Sequence, residues 1–300
     1  MTTFDLTQMP DMTGSKVIVT GANSGIGRAA AQAFAGAGAH VVLAVRSTEK
    51  GEQAAATMAG ETEVRSLDLA SLDSVRQFAA GIDGEVDLLI NNAGVMVPPL
   101  SQTADGFELQ FGTNHLGHFA LTNLLLEQVT DRVVTVASGA HRFGAIDFED
   151  LNWEHKPYRR WRAYGQSKLA NLLFTAELQR RLTAAGSPVL ATAAHPGYAA
   201  TNLQFHSERR LWDLASAVGN RLIAQDEQGG ALPTLYAAVA DVPGNSFAGP
   251  GGLMETRGAP KLVGRTRAAR DEDTARRLWE VSEELTGVRF GLAATAASGT

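Results

Sequence analysis

The 300 residues combine 44 % apolar with only 19 % charged residues and 31 glycines, which excludes a disordered or coiled-coil chain. A net charge of −6 argues against nucleic acid or an acidic membrane surface as partner, and the absence of cysteine excludes disulfides, thiolate nucleophiles and cysteine-ligated metals. No apolar run reaches the ~20 residues of a membrane span, and no basic signal-peptide start is present, so we expect a cytoplasmic protein.

Short apolar strands alternate with helical patterns along the chain. The predicted strands are Lys16–Thr20, His40–Val45, Glu63–Leu67, Val86–Asn91, Arg132–Ala137 and Pro188–Ala193. The predicted helices are Ile26–Ala37, Thr48–Met58, Ser71–Ala80, Asp105–Gln128 and Arg162–Ala185, with two more near Gln228–Val239 and Thr274–Leu285. Continuous apolar strands are typical of a sheet that is covered on both faces. The pattern predicts an α/β fold: a single doubly wound, Rossmann-like parallel sheet with helices on both faces, in one domain over residues 1–300.

A glycine-rich turn follows the first strand and leads into the first helix. It reads Thr20-Gly21-Ala22-Asn23-Ser24-Gly25-Ile26-Gly27. Glycines let the backbone approach a pyrophosphate, which then binds the free N–H groups of the helix N-terminus. We therefore predict dinucleotide contacts at Gly21, Asn23, Ser24, Gly25, Ile26 and Gly27. A tight turn without a ligand is the alternative.

The end of the second strand indicates which dinucleotide binds. Val45-Arg46-Ser47 offers no carboxylate to a ribose 2′-hydroxyl, whereas the guanidinium of Arg46 can hold a 2′-phosphate. This favours NADP(H) over NAD(H). The alternative is that Arg46 is a solvated charge at the start of a helix.

Tyr164 and Lys168 are four residues apart in Tyr164-Gly165-Gln166-Ser167-Lys168, which places them on one face of a helix. An ammonium group about 4 Å from a phenol contributes about 4 kcal/mol at an effective dielectric constant of about 20, so we expect Lys168 to lower the pKa of Tyr164. Tyr164 then serves as general acid in carbonyl reduction and as general base in alcohol oxidation. A surface tyrosine with a neighbouring lysine is the alternative.

The glycine spacing T-G-x-x-x-G-x-G and the motif Asn91-Asn92-Ala93-Gly94 after the fourth strand carry a resemblance to a known family. From about Lys16 to Gly197 the chain resembles the short-chain dehydrogenase/reductase family. The long spacing from Ser138 to Tyr164 and the C-terminal segment LWEVSEELTGV resemble its retinol dehydrogenase-like branch.

The resemblance implies roles for further residues. Ser138 would hydrogen-bond the substrate oxygen, the Asn114 carbonyl would hold a water linking Lys168 to solvent, and Lys168 would also hold the nicotinamide ribose. Further cofactor contacts are implied at Asp68, Leu69, Asn92, Ala93, Gly94, Pro196, Gly197 and Thr201. From the residues alone, the alternatives are that Asp68 caps a helix, Ser138 forms a turn, and Asn114 bonds locally.

Two segments, at about 139–163 and 198–228, flank the expected carbonyl site and are rich in aromatic residues. The first contains Phe143, Phe148, Trp153, Tyr158 and Trp161. Large rings beside a reaction centre favour an apolar pocket for a lipophilic aldehyde, ketone or alcohol. The alternative is that these rings pin the segments to the core.

The residues together predict an NADP(H)-dependent oxidoreductase that interconverts a carbonyl compound and an alcohol. The alternative is a non-catalytic dinucleotide-sensing binding protein of the same fold, and a nucleotide-sugar epimerase is a third reading. His115 and His118 lack a third ligand at metal-binding spacing, so we predict core or helix-surface histidines and no metal. The resemblance also implies that the long helices holding Asn114 and Tyr164 could pair two copies into a homo-oligomer.

Overall fold

Eight β-strands form one sheet in this computed structural model, which describes residues 4–197 and 227–292. The strands are β1 Lys16–Thr20, β2 His40–Val45, β3 Thr62–Ser66, β4 Val86–Asn91, β5 Val129–Val136, β6 Leu190–Ala194, β7 Phe247–Pro250 and β8 Pro260–Leu262. The α-helices are α1 Gly25–Gly36, α2 Thr48–Ala55, α3 Leu72–Ala80, α4 Leu109–Phe111, α5 Gly117–Leu125, α6 Arg160–Ala184, α7 Glu227–Val239 and α8 Glu272–Thr286. A π-helical turn, Gly112–Leu116, joins α4 to α5.

The strands lie in the order β3-β2-β1-β4-β5-β6-β7-β8. The first seven are parallel, which confirms the doubly wound sheet. The chain runs outward from β1 to β3 and then returns to place β4 on the other side of β1, so the strand order reverses between β1 and β4. Ligands of such sheets bind at the carboxyl ends of the strands beside this reversal.

The last strand differs from the parallel arrangement that the sequence predicts, because β8 pairs antiparallel with β7. The short connection between Pro250 and Pro260 explains this, since adjacent parallel strands need a crossover of about a dozen residues or more. The sequence analysis predicts neither strand. β7 contains Gly249 and Pro250, and β8 begins at Pro260, and these residue types are rare in strands.

Helices cover both faces of the sheet, as predicted. One buried cluster joins the sheet to α3, α5, α6 and α8, with Phe119, Phe174 and Trp279 at its centre. The other joins the sheet to α1, α2 and α7 through side chains such as Phe34 and Leu235. The strands are therefore buried on both sides, which is why they are continuously apolar.

The helix predicted over Asp105–Gln128 is shorter and interrupted. It begins at Leu109 because the buried Glu108 carboxylate accepts hydrogen bonds from the N–H groups of Gln110 and Phe111 at 2.9 and 2.8 Å, which caps the first turn. It ends at Leu125, and β5 begins earlier than predicted, at Val129. The π-helical turn in its middle carries Asn114.

Candidate active site

A cavity of about 330 Å³ opens at the carboxyl ends of the strands beside the reversal in strand order. Fifteen of the residues that the sequence predicts as site residues line it: Gly21, Asn23, Ser24, Gly25, Ile26, Gly27, Arg46, Asp68, Leu69, Asn92, Ala93, Gly94, Tyr164, Lys168 and Pro196. Sequence reasoning did not include the other lining residues, which are Ala44, Leu67, Val95, Met96, Thr113, Val136 and Ala137.

The glycine turn between β1 and α1 forms one wall of this cavity. Gly21 and Gly25 have φ angles of +68° and +56°, in the left-handed region that favours glycine. A Cβ on Gly27 would come 2.5 Å from the Gly21 carbonyl oxygen, so only glycine lets α1 begin so close to the turn. Ser24 stands at the N-cap of α1, but its side chain makes no capping hydrogen bond. The first N–H groups of α1 are thus available to an anion.

Arg46 follows β2 and lies exposed at the cavity wall. Within residues 4–197 and 227–292 its guanidinium has neither an ion pair nor a hydrogen bond, so it is available to a ligand in the cavity. Asp68 lies after β3, where its Oδ1 accepts a hydrogen bond from the Ala70 N–H at 2.9 Å. The cap of α3 is Ser71, whose hydroxyl accepts from the Ser74 N–H at 3.3 Å, and Asp68 shapes the turn before it.

Tyr164 and Lys168 line the cavity beside the end of β5, and Ser138 follows the lining residue Ala137. Ser138 follows β5 and begins a short 3₁₀ helix, Gly139–Phe143, by accepting a hydrogen bond from the Ala140 N–H at 3.1 Å. The Ser138 side chain lies close enough to the Tyr164 hydroxyl to act on its pKa, which it lowers. One turn further along α6, the buried Lys168 ammonium donates to the carbonyl oxygen of Val136 at 3.0 Å.

The protonation of this pair differs from the expectation that Lys168 makes Tyr164 more acidic. Burial raises the pKa of Tyr164 to about 12, and only the Ser138 side chain acts in the opposite direction. Burial lowers the pKa of Lys168 to about 8. The lysine Nζ lies 5.8 Å from the centre of the tyrosine ring and is directed to the backbone. In the protein alone, Tyr164 is therefore a neutral phenol near a cationic Lys168 at neutral pH.

Asn114 does not line the cavity but joins its wall to the helix that carries Tyr164 and Lys168. Its side-chain amide accepts from the Val95 N–H at 2.8 Å and donates to the Val95 carbonyl at 2.9 Å. The amide also donates to the Ser167 hydroxyl at 3.0 Å, and Ser167 lies on α6 between Tyr164 and Lys168. These bonds use both side-chain N–H groups of Asn114, and its main-chain oxygen lies 3.1 Å from His118 Nδ1.

The sequence analysis does not include Thr20 among the site residues, and it predicts for His118 only a place in the core or on a helix surface. The buried Thr20 hydroxyl lies 2.9 Å from the N–H groups of Asn92 and Ala93 and 2.9 Å from His118 Nε2. It thereby joins the end of β1 to the turn after β4. The sequence signal that could have identified Thr20 is a polar residue at the end of the apolar strand β1. His115 and His118 are both buried, and no group of three metal-ligating side chains occurs in the part of the chain that the structure describes.

Segment 139–163 divides into buried and exposed aromatic rings. Trp153 is buried, and the Tyr158 hydroxyl donates to the Glu108 carboxylate at 2.8 Å, so these rings fasten the segment to the core. Phe143 and Trp161 remain about half exposed, at 53 and 50 %. The Trp161 ring lies 6.1 Å from that of Tyr164. Of these two exposed rings, that of Trp161 lies beside the Tyr164 phenol and that of Phe143 lies beside Gly165.

Pro196 lines the cavity, and Gly197 follows it with φ +71° beside the backbone of Glu255 and Thr256. Thr201, and residues 198–226 of the predicted segment 198–228, lie outside the described residues. None of the helices within residues 4–197 and 227–292 has both the length and the apolar character needed to cross a membrane.

Comparisons with known proteins agree with this geometry. A family model described as short chain dehydrogenase matches residues 15–211. Retinol dehydrogenase 13 of Homo sapiens is 46 % identical, over 92 % of this chain and 85 % of its own length. Retinol dehydrogenase 12 of Homo sapiens is 43 % identical, over 92 % of this chain and 88 % of its own. The crystal structure of an uncharacterized protein from Mycobacterium Paratuberculosis has a TM-score of 0.85 and 53 % identity, covering 97 % of this chain and 100 % of that one.

Proposed function

The chain belongs to the short-chain dehydrogenase family, and on that premise we propose that it is an NADP(H)-dependent oxidoreductase of lipophilic carbonyl compounds. It is an oxidoreductase that interconverts a carbonyl group and an alcohol, and its family binds NAD(P). Our proposal goes beyond this in three respects: the preference for NADP(H), the roles of the individual residues and the class of substrate. We also propose that residues 1–300 act as one dinucleotide-binding and catalytic domain.

The cavity fits a phosphorylated dinucleotide. The uncapped N-terminus of α1 and the close glycine turn suit the pyrophosphate, which binds backbone N–H groups. The free guanidinium of Arg46 suits the 2′-phosphate that distinguishes NADP(H), and Asp68 and Leu69 would border the adenine. Asn92, Ala93, Gly94, Pro196 and Gly197 would border the nicotinamide end. Among these contacts, the one with the unpaired guanidinium of Arg46 is what favours NADP(H) over NAD(H).

The observation that carries the proposed reaction is a protonated phenol and a buried lysine at one end of the same cavity. Reduced nicotinamide, when bound, supplies the hydride that is added to the carbonyl carbon. Tyr164 then gives its hydroxyl proton to the carbonyl oxygen, which Ser138 holds by a hydrogen bond. The product is the alcohol, and the tyrosinate left behind is stabilised by the ammonium of Lys168. The neutral phenol of Tyr164 is the form that a proton donor needs in this direction.

A lipophilic substrate is supported by the walls near Tyr164 and by the relatives. Val95 and Met96 line the cavity, and the half-exposed rings of Phe143 and Trp161 lie beside the catalytic helix. These side chains offer apolar surface and no charge. The curated relatives at 46 and 43 % identity are named retinol dehydrogenases, so a retinoid or fatty aldehyde is the proposed class.

A binding protein without turnover is the alternative function. The geometry favours an enzyme, because Ser138, Tyr164, Lys168 and Asn114 are all present, and Asn114 bonds to Ser167, between Tyr164 and Lys168 on α6. A sensor needs the dinucleotide cavity but has no use for a proton donor beside it.

The cofactor preference is tested by replacing Arg46 with aspartate. We expect R46D to weaken NADPH binding about 10- to 100-fold, the value of one or two charge-assisted hydrogen bonds, with little loss for NADH. Titration followed by nicotinamide fluorescence gives both dissociation constants. K50D is the control, since it makes the same charge change at an exposed position of α2. Equal NADPH affinity in R46D and wild type would assign the phosphate to other residues.

The reaction and substrate class are tested with the full chain, NADPH and aldehydes of graded length, from short aliphatic aldehydes to fatty aldehydes and all-trans-retinal. NADPH oxidation should be measurable, and kcat/KM should rise with apolar length because each buried methylene adds about 0.8 kcal/mol. Tight NADPH binding without oxidation by any aldehyde would favour the sensor. A kcat/KM that does not depend on length would contradict the lipophilic pocket.

A further inference from the structure

His118 is buried behind the cavity, and both of its ring nitrogens have partners. Nδ1 lies 3.1 Å from the main-chain oxygen of Asn114, and Nε2 lies 2.9 Å from the hydroxyl of Thr20. The ring therefore joins the π-helical turn to the end of β1. Neither contact belongs to an α-helix or a strand ladder, so the histidine itself holds these two parts together.

The hydrogen bonds around His118 determine where its proton lies. A carbonyl oxygen only accepts, so Nδ1 must carry a proton to bond Asn114. The Thr20 hydroxyl accepts from the Ala93 N–H and shares the Asn92 N–H with the Ile90 carbonyl, which lies 2.9 Å from the same nitrogen. Because a proton on Nδ1 leaves Nε2 of the neutral ring as an acceptor, the Thr20 hydroxyl donates to Nε2 at 2.9 Å; the Ile90 carbonyl is farther away, at 3.3 Å. All contacts are satisfied only by neutral His118 with the proton on Nδ1.

His115, which lies within the π-helical turn three residues before His118, requires the opposite tautomer. Its Nε2 lies 2.9 Å from the hydroxyl of Ser282 on α8, and that hydroxyl donates to the Leu278 carbonyl at 2.7 Å. Because the Ser282 proton is used, His115 Nε2 must donate. Burial lowers the pKa of His115 to about 3 and that of His118 to about 4, so both rings are neutral at pH 7.

We propose that His118 is a positioning residue for the reduction: it fixes the Asn114 backbone and, through Thr20, the Asn92–Ala93 wall of the cavity in one arrangement. From Asn114 the connection continues to Ser167, between Tyr164 and Lys168 on α6. His118 thus fixes the position of the Asn92–Ala93 wall, which would border the nicotinamide, relative to α6, which carries the proposed proton donor. The role in catalysis rests on the proposed function, whereas the tautomer does not.

The proton positions are tested in wild-type protein by ¹⁵N NMR of the histidine side chains at pH 7, without cofactor or substrate. We expect His118 as the Nδ1–H tautomer and His115 as the Nε2–H tautomer, assigned by the signals that disappear in H118N and H115F. An Nε2–H tautomer or a charged ring at His118 would overturn the proposal, whatever the activity of the protein.

The positioning role is tested by kinetics of three variants with NADPH and a fatty aldehyde. H118L removes both bonds, H118N keeps an N–H near the Nδ1 position, and H118Q carries an amide toward Thr20 only. We expect kcat of H118L to fall about tenfold, the effect of one lost hydrogen bond in the transition state, with KM nearly unchanged. H118N should recover most of kcat and H118Q little of it.

His115 provides the matched control, since it is buried three residues before His118 without touching Asn114. H115F fills the space between Phe111 and Phe119, and its kcat should equal that of wild type. Wild-type kcat in folded H118L, or equal losses in H118N and H118L, would contradict the positioning role. An inactive wild type would instead contradict the proposed function and leave the NMR result to decide the tautomer.

Discussion

Tyr164 is the residue on which the proposed chemistry depends, and its surroundings favour the neutral phenol. Burial raises its pKa to about 12, and the cationic Lys168 bonds to the Val136 carbonyl and not to the phenol. A proton donor must hold its proton until the substrate oxygen becomes basic. In the proposed reaction the neutral phenol would protonate the developing alkoxide, and the charge of Lys168 would stabilise the tyrosinate afterwards.

Replacing Tyr164 with phenylalanine should remove the proton donor and leave the cavity intact. We expect kcat to fall about 10²- to 10⁴-fold, the usual contribution of general acid catalysis, while the dissociation constant for NADPH is unchanged. Steady-state NADPH oxidation and fluorescence titration measure the two effects. Y236F is the control, because Tyr236 lies on α7, packs edge-on against Phe4 and does not line the cavity. Activity retained in Y164F would assign proton transfer to another group.

At the residue scale, sequence reasoning located the Tyr164–Lys168 pair because a spacing of four residues on a helix determines which side chains share a face. It could not determine the direction of the lysine ammonium, which depends on the Val136 carbonyl at the end of a distant strand. The contact between Thr20 and His118 could not be predicted for the same reason. Their hydrogen bond joins residues that are 98 positions apart, and no local pattern records it.

The π-helical turn Gly112–Leu116 contains Asn114 and leads directly into α5, which carries His118. Its extra residue is closed by a hydrogen bond from the Gly117 N–H to the Gly112 carbonyl. Gly117 also lets the turn after β3 pass very close to α5, because a Cβ there would collide with the Leu69 carbonyl oxygen and come 3.0 Å from Leu69 Cβ. Leu69 lines the cavity, so the packing of α5 determines the position of one cavity wall.

G117A should displace the Leu69 turn. Overpacking of this kind costs about 1–3 kcal/mol, and we expect a loss in the free energy of unfolding of that size together with weaker NADPH binding. Urea denaturation and fluorescence titration measure the two. G36A is the matched control: a Cβ at Gly36, at the exposed end of α1, meets nothing within 4 Å. G36A should be slightly more stable than wild type. A G117A variant as stable as wild type would show that the contact with Leu69 relaxes freely.

The elements that the sequence predicted well are those whose burial is uniform. β1, β2 and β4 have the predicted bounds because strands covered on both faces are apolar from end to end. The π-helical turn and the late start of its helix could not be predicted, since a buried glutamate cap and one inserted residue leave no periodic signal. β7 and β8 form through pairing with β6 and with each other, which outweighs their low strand propensity.

At the scale of the whole molecule, buried neutral histidines make the fold sensitive to acid. His115, His118, His141 and His195 are each at most 2 % exposed, and burial lowers the pKa of all four. Between these lowered values and the ordinary value of 6.5, the unfolded chain binds more protons than the folded chain. The free energy of unfolding therefore rises with pH in this window and falls on acidification. Burial raises the pKa of two carboxyl groups, Glu108 and Asp131, which act in the opposite direction, with two protons against the four of the histidines.

We therefore expect acid unfolding at about pH 4–5, because each histidine contributes up to about 1.4 kcal/mol per pH unit against a typical total of about 5–15 kcal/mol. Circular dichroism at stepwise lower pH gives the midpoint. H115F removes one buried proton acceptor and keeps an aromatic ring in the same cluster, so its midpoint should lie at lower pH. H155Q, at an exposed position, should unfold at the wild-type midpoint. Coincident midpoints for H115F and wild type would mean that the buried histidines do not drive the transition, and that carboxylate protonation elsewhere in the chain does.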